Sequence, residues 1–462
     1  MKKILLIYPP FCTPASPPYS VTKLYSFLKG NLNLLDNTNI QDTTNNNLEI
    51  EVLDLNLEFH KLKFAKYQQY SHNIKDWDDY DKLTAKYHQL SAQTYSENNK
   101  KVINSERPEY FAELLKKIKD KKPDVVAFSI VYSSQVFYAY SLLKELKETT
   151  TIIGGPAINK KLSTVANKTL NNEIELLNFV LNRKIDHDQI NFKTIPDFSI
   201  YNLKEYFTPY PVVPIRTSNT CYYQKCTFCS HFSKAKYYEF PLDIIKETII
   251  NSKQKHFFLI DDMIPAKRLL EIAKIIKPLN VKWTCQLKPT AHFSFEILKT
   301  LRESGLTMII WGVESGSDRV LKLMQKGTNL KDIEIVIQNS HKAGIKNVVY
   351  IMFGFPTETK QEFLETMDFL QQNEEYIDLI STSIFGLQKG TIIYNHPEKY
   401  GITKIIEQKR TLLDSKISYE LSSGLSREEV KLLVKKHKLL FEKINKYPRT
   451  MNYFREHMFC LS

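Results

Sequence analysis

From Val212 to Phe385 the sequence repeats strand and helix six times, and no other feature constrains the fold as much. The candidate strands are Val212–Thr217, His256–Ile260, Lys282–Leu287, Met308–Glu314, Asn347–Gly354 and Leu379–Phe385. Helical periodicity falls between them at Leu242–Lys253, Lys267–Ile276, Phe295–Ser304, Leu330–Ala343 and Glu358–Gln372. Apolar strands alternating with helices predict a parallel α/β architecture, and six of them predict an open, partial (β/α)6 barrel of the TIM type. Polar residues gather where the strands end: a cysteine-bearing loop, Asp261-Asp262, Gln286 and Lys288, Glu314-Ser315-Gly316, and Gly354-Phe355-Pro356. Barrel enzymes carry their chemistry at that edge.

The first 182 residues read as a second α/β unit with a Rossmann-like sheet. Its strands are Lys3–Tyr8, Leu48–Leu55, Asp124–Tyr132 and Thr151–Gly154, with helices at Val21–Leu32 and Ser134–Lys147. Asn33–Asn47 reads as an exposed polar loop, the Tyr-rich stretch from Phe59 to Asp120 as helical, and Ala157–Asn182 as lacking an apolar strand. Such sheets bind ligands beyond the carboxyl ends of their strands, where Pro9-Pro10 and Gly154-Gly155-Pro156 would sit. Residues 183–210 form a Pro-punctuated linker, 211–400 the barrel, and 401–462 a helical extension in which Ser426 opens a helix.

With 462 residues the chain holds two or three domains, and its apolar content of 42% suffices for buried cores. The formal charge of +13 comes from scattered lysines that read as solvated helix faces, with no nucleic-acid-binding module beside them. The apolar stretch Ile4–Tyr8 stops at Pro9-Pro10, too short for a signal-peptide core, and no run reaches membrane-span length. These features predict a cytoplasmic protein. Six cysteines in a chain this long do not make a disulfide scaffold.

Three of the six lie within nine positions, Cys221, Cys226 and Cys229, spaced C-x4-C-x2-C directly after the first barrel strand. Clustered thiolates favour zinc or an iron–sulfur cluster over hard cations. His231 follows closely and would complete a Cys3His zinc tetrahedron. The loop alone leaves both metals open.

The cysteine loop followed by a six-fold β/α pattern resembles the radical S-adenosylmethionine (radical SAM) superfamily. Its usual signature is C-x3-C-x2-C, and the form here, C-Y-Y-Q-K-C-T-F-C, is similar to members with an N-terminal cobalamin-binding domain. Leu259-Ile260-Asp261-Asp262, Trp311–Ser317 with Met324–Gly327, Met352–Pro356, and Gly390–Tyr394 with Pro397–Gly401 agree with it. The resemblance implies that Cys221, Cys226 and Cys229 ligate a [4Fe–4S] cluster whose fourth iron chelates S-adenosyl-L-methionine, cleaved to a 5′-deoxyadenosyl radical. It implies an adenine contact for Phe228 and methionine or substrate contacts for Asp261 and Asp262. Glu314 and Ser315 would bond the ribose hydroxyls, Lys288 the methionine carboxylate, and Gln286 and Gly354 would border the cofactor.

Each position also has a plainer reading. Phe228 could pack the loop, Asp262 could cap the next helix, Glu314 and Ser315 could bond within the barrel top, and Lys288 could face solvent. Cys285 alternates to the face opposite Gln286 and reads as a buried small hydrophobe. Cobalamin is open: no D-x-H-x-x-G motif is present, His60 reads as a surface residue, and no G-E-G-E-like turn follows Gly154-Gly155. Only Cys12 lies toward the N-terminus and only Cys460 toward the C-terminus, so one cluster is the limit. Three functions follow. One is radical modification of a small-molecule or peptide substrate, served by a reductase or a flavodoxin- or ferredoxin-type electron donor. The others are cobalamin-dependent radical methylation and a zinc-bearing, basic nucleic-acid-binding protein.

Overall fold

The computed structural model describes residues 2–35, 48–230 and 235–461. In the N-terminal unit β1 (Lys2–Tyr8), β2 (Leu48–Asp54), β3 (Val125–Ser129), β4 (Thr150–Gly154) and β5 (Lys168–Thr169) form a parallel sheet in the order β2-β1-β3-β4-β5. Alternate residues serve two cores. Leu5, Ile7, Val126, Phe128 and Ile153 face one cluster, while Ile4, Leu6, Val125, Ala127 and Ile152 face another beneath the helices Tyr19–Lys29 and Glu173–Leu181. Coverage of both faces explains why these strands read as continuous apolar runs.

β5 is the strand that Ala157–Asn182 did not reveal, because its two residues are exposed and polar. Of the expected loop Asn33–Asn47, residues 36–47 lie outside the described residues, and Leu32–Leu35 forms a single 3-10 turn. The Tyr-rich stretch folds into the helices Leu55–Ser71, Trp77–Ile103 and Phe111–Asp120. His60 is not a surface residue. It is fully buried, its Nδ1 lies 3.0 Å from the Tyr87 hydroxyl, and the rings of Phe11, Phe59 and Phe64 surround it. The helix that carries it turns that face onto Trp77–Ile103, a partner invisible to local sequence.

The barrel strands are β6 (Val212–Ile215), β7 (His256–Leu259), β8 (Lys282–Leu287), β9 (Leu306–Glu314), β10 (Lys346–Phe353) and β11 (Leu379–Ile384). All are parallel and neighbour one another in sequence order. Outward residues such as Val213, Phe257, Trp283, Ile309 and Val349 join the same core as the N-terminal unit, so the two sheets share one apolar mass. The segment between them is packed, not loose. Phe198, Tyr206 and Phe207 are buried, and the Tyr206 hydroxyl donates to Asp54 Oδ2 at 2.9 Å.

The helical extension expected from residue 401 opens instead on an antiparallel hairpin, β12 (Ile402–Gln408) and β13 (Lys416–Leu421). Ile417, Tyr419 and Leu421 alternate with Lys416, Ser418 and Glu420, and the apolar set packs under Phe355 and Phe385. That period-two pattern is a strand signal. Ser426 then caps the helix Arg427–Lys436 in a capping box with Glu429. The helix Arg455–Leu461 lies across the concave face of the barrel: Met458, Phe459 and Cys460 meet Val212, Met308, Ile310, Val348 and Leu379.

Candidate cofactor site at the barrel mouth

The cysteine loop is anchored at both ends. Asp261, at the end of β7, accepts from the backbone N–H groups of Thr217 and Ser218 and from the Ser218 hydroxyl at 2.7–3.0 Å. Burial raises its pKa, and those donors oppose the rise. Its carboxylate is therefore committed to the chain leading into Cys221. Farther along, the Thr227 N–H donates to Met324 O at 3.0 Å, its hydroxyl to Leu323 O at 3.2 Å, and the Tyr223 hydroxyl to Gln325 O at 2.8 Å.

Cys221, Cys226 and Cys229 are partly buried thiols on this loop, outside any disulfide. Among the described residues no three His, Cys, Asp or Glu side chains converge closely enough to hold a single metal ion. His231 lies outside the described residues. Two ammonium groups flank the thiols. Lys288, 6% exposed, sets its Nζ 3.2 Å from the centroid of the Tyr223 ring. Burial pushes its pKa down to about 8 while the Cys226 and Cys221 charges pull it upward. Lys326, also buried, sets its Nζ 2.8 Å from Glu314 Oε1 and 5.7 Å from the Phe228 ring centroid. For Cys226, burial raises the pKa and the charges of Lys326 and Lys288 lower it.

The strand ends complete the rim. Glu314 takes φ +71° as β9 ends. A Cβ on Gly312 would stand 3.0 Å from both the Glu314 carboxylate and the Lys326 ammonium, so a side chain there would press on the pair. Ser315 is fully buried and its Oγ accepts from the Ser317 N–H at 3.1 Å, which turns it into its own loop. Gly354, at φ +73°, donates its N–H to Glu358 at 2.5 Å, and a Cβ there would press on Val430 at 3.0 Å. Burial raises the Glu358 carboxyl to about 7.

Gln286 is partly buried on the strand face that continues into Lys288. Cys285 is fully buried on the opposite face, and burial pushes its thiol pKa well up. Phe228 packs against the cluster around Met352 and Phe355. Asp262 is exposed and does not cap the next helix, whose N-cap is Pro265. Lys288, Glu314 and Phe228 thus come together around the cysteines, whereas Asp261 and Ser315 turn into backbone bonding. Lys326 and Tyr223 had drawn no assigned role, although Lys326 sits inside the quoted segment Met324–Gly327.

A cavity of about 660 Å³ lies between the carboxyl edge of the N-terminal sheet and the start of the barrel. Ser129, Gly154 and Gly155 line it from the sheet, Tyr19 from the first helix, and Arg216 and Tyr238 from the barrel side. Gly155 has φ +114°, and a Cβ there would fall 2.4 Å from Ile130 O, so the turn after β4 requires glycine.

Residues 215–370 match the model of the Radical SAM superfamily. The barrel is a radical SAM domain. Curated relatives include bacteriochlorophyllide d C-12(1)-methyltransferase of Chlorobaculum tepidum, 28% identical over 193 residues, 39% of this chain and 42% of that protein. An uncharacterized methyltransferase of Pyrococcus horikoshii is 25% identical over 213 residues, 44% of this chain and 46% of that protein. The chain thus spans less than half the length of these two relatives. Among solved structures, the radical SAM methyltransferase TsrM of Kitasatospora setae, bound to tryptophan and a SAM analogue, superposes with a TM-score of 0.62 at 14% identity, covering 95% of this chain and 89% of TsrM. The cobalamin-dependent radical SAM enzyme OxsB gives 0.58 at 15% identity over 96% of this chain and 67% of OxsB. At such identities the likeness concerns the fold, and it spans both sheets as well as the radical SAM domain. Nothing among these relatives supports the nucleic-acid-binding reading. No helix among the described residues is long and apolar enough to cross a membrane.

Proposed function

We propose that this chain is a radical SAM enzyme in which Cys221, Cys226 and Cys229 hold one [4Fe–4S] cluster. The observation that carries the reading is the cysteine loop at the end of β6, flanked by the buried ammonium groups of Lys288 and Lys326 in a radical SAM domain. The donor set fits the group: three thiols suit a cluster with one iron left open, and two cations offset the charge of cluster thiolates. Bound there, the cluster would serve the one-electron reductive cleavage of S-adenosyl-L-methionine to methionine and a 5′-deoxyadenosyl group. An external one-electron donor, a reductase or a flavodoxin- or ferredoxin-type protein, is then required.

The chain's own residues bind and orient. Among the described residues Lys288 forms no salt bridge, and its ammonium lies over the Tyr223 ring within the field of Cys226 and Cys221, which suits the methionine carboxylate. Asp261 fixes the approach of the loop, and Thr227 fixes its exit. Phe228 offers an apolar surface to the adenine, and Glu314, held by Lys326, offers carboxylate oxygens to the ribose.

A second element is favoured by the cavity at the N-terminal sheet edge: a bound corrinoid acting as methyl carrier, which makes the enzyme a radical methyltransferase. A cavity of about 660 Å³ at the carboxyl edge of a parallel sheet, floored by the small residues Ser129, Gly154 and Gly155, fits part of such a ligand. None of its described lining residues is histidine, so they supply no imidazole ligand.

Anaerobic reconstitution tests the reading. The expected protein is brown, carries about four irons per chain and forms 5′-deoxyadenosine with dithionite, and Cys226→Ala loses all three together. A colourless protein with one zinc would overturn it. For the second element, retention of added cobalamin through gel filtration is expected, and its quantitative loss would remove the corrinoid.

A further inference from the structure

Two buried ammonium groups flank the cysteine loop, and the chain holds them in different ways. Lys326 is committed to a carboxylate, with its Nζ 2.8 Å from Glu314 Oε1. Lys288 forms no salt bridge among the described residues, and what it meets instead is the face of the Tyr223 ring, whose centroid lies 3.2 Å from its Nζ. A lysine ammonium is a compact point charge on a flexible four-carbon stem, so its place must be fixed from outside. A carboxylate would fix it by taking its hydrogen bonds. A ring face fixes it through the π quadrupole and leaves N–H donors for a ligand.

The ring itself is braced. The Tyr223 hydroxyl donates to Gln325 O at 2.8 Å. Gly327 closes on its edge, where a Cβ would fall 2.2 Å from the hydroxyl oxygen and 2.8 Å from Cζ. Gln224, next in the chain, takes φ +48° and donates through Nε2 to Ala235 O at 3.2 Å, so the loop turns directly after the ring. The segment that braces the ring also fixes the exit of β8, because Thr328 Oγ1 donates to Pro289 O. The Lys288 N–H meets Met263 Sδ at 3.0 Å. Gln325, Gly327 and Thr328 thus set ring and ammonium in one register, while Lys326 among them turns to Glu314.

We propose that Tyr223 is a positioning residue for the cofactor: its ring holds the Lys288 ammonium, without neutralising it, where that ammonium meets the α-carboxylate of S-adenosyl-L-methionine. The inference rests on the radical SAM reading and deepens it. Tyr223 acts through Lys288 and touches no reacting atom. Two consequences separate this role from loop packing. Ring and ammonium work as one unit, so losing both costs no more than losing Lys288 alone. The effect is also confined to ligands that carry the carboxylate.

The test is anaerobic equilibrium dialysis of the reconstituted protein with S-adenosyl-L-methionine and with its decarboxylated analogue, which keeps the sulfonium and the amine. Iron is measured in every variant. Tyr223→Leu is expected to keep wild-type iron, to raise the Kd of S-adenosyl-L-methionine about tenfold and to leave that of the analogue within about twofold. Tyr223→Phe, which keeps the ring face, stays within about threefold of the wild type for both. Lys288→Met weakens S-adenosyl-L-methionine at least as much as Tyr223→Leu, and combining the two adds nothing further. The double variant needs S-adenosyl-L-methionine alone, so it decides even where the analogue binds below detection. Equal weakening of both ligands, additive losses in the double variant, a Phe variant as weak as Leu, or iron lost with the ring would overturn the proposal and leave Tyr223 a loop-packing residue. If the wild type loads iron and forms 5′-deoxyadenosine while these signatures fail, only this inference falls. If the wild type takes zinc in place of iron, the radical SAM reading falls first.

Discussion

The ammonium of Lys326 stands 2.8 Å from Glu314 Oε1, and both side chains are largely removed from solvent. The contact ties the turn at the end of β9 to the segment that also receives Thr227 of the cysteine loop. Replacing Lys326 by Met leaves a carboxylate with no cation in a closed site. A loss of about 3 kcal/mol in unfolding free energy is expected from denaturant titration. Adding Glu314→Gln should recover part of it, and a loss under about 1 kcal/mol would mean the pair is solvated.

Asp261 serves the same loop from below through its bonds to Thr217 and Ser218. Asp261→Ala leaves two backbone N–H groups buried without an acceptor, while the Ser218 hydroxyl keeps Thr220 O at 3.2 Å. A cost of about 2–3 kcal/mol is expected. Iron content after reconstitution should fall as well, because the entry to Cys221 loses its anchor. Full iron loading with unchanged stability would show that the loop is held by other means.

Gly155 approaches Ile130 O so closely that no side chain fits, and its φ of +114° is foreign to L-residues. Gly155→Ala is expected to destabilise the protein by about 1–3 kcal/mol and to weaken corrinoid retention, since the same turn lines the cavity. Wild-type stability in this variant, read by thermal unfolding, would contradict the turn geometry.

His457 gives a pH dependence with a definite sign. Its Nε2 lies 2.6 Å from Phe207 O and its Nδ1 2.9 Å from the Tyr80 hydroxyl, so the neutral ring donates through Nε2 and accepts through Nδ1. Burial lowers its pKa from 6.5 to about 4. Between these values the unfolded chain binds the proton and the folded one does not. The histidine's contribution is therefore complete above pH 6.5 and is lost as pH falls toward 4. Asp54, raised to about 6, and Glu358, raised to about 7, act in the opposite sense, so a variant is needed to isolate it. The stability gap between wild type and His457→Gln should shrink by roughly 2 kcal/mol from pH 7 to pH 5. A constant gap would contradict the assignment.

The six barrel strands and their helices were legible because each is short, apolar and bounded by polar turns, a pattern that burial on both faces imposes. The hairpin β12–β13 was missed because only β13 alternates cleanly, whereas in β12 a register shift sets Ile402 and Ile405 inside and leaves Ile406 exposed. His60 was misplaced because the helix that buries it comes from residues 77–103, beyond any local pattern. At the site, the cysteines announced themselves by spacing and Lys288 by its strand register. Lys326 faces the same thiols from a loop with no periodicity. Met458, Phe459 and Cys460 meet the barrel strands through tertiary packing of a seven-residue helix, which no motif marks.

The central claim is tested most directly by anaerobic reconstitution with iron and sulfide, followed by metal analysis and a dithionite-driven assay with S-adenosyl-L-methionine. The account predicts about four irons per chain, with 5′-deoxyadenosine formed by the wild type and neither cluster nor product in Cys226→Ala. Stoichiometric zinc without iron, or a Cys226→Ala variant that keeps both cluster and product, would contradict it.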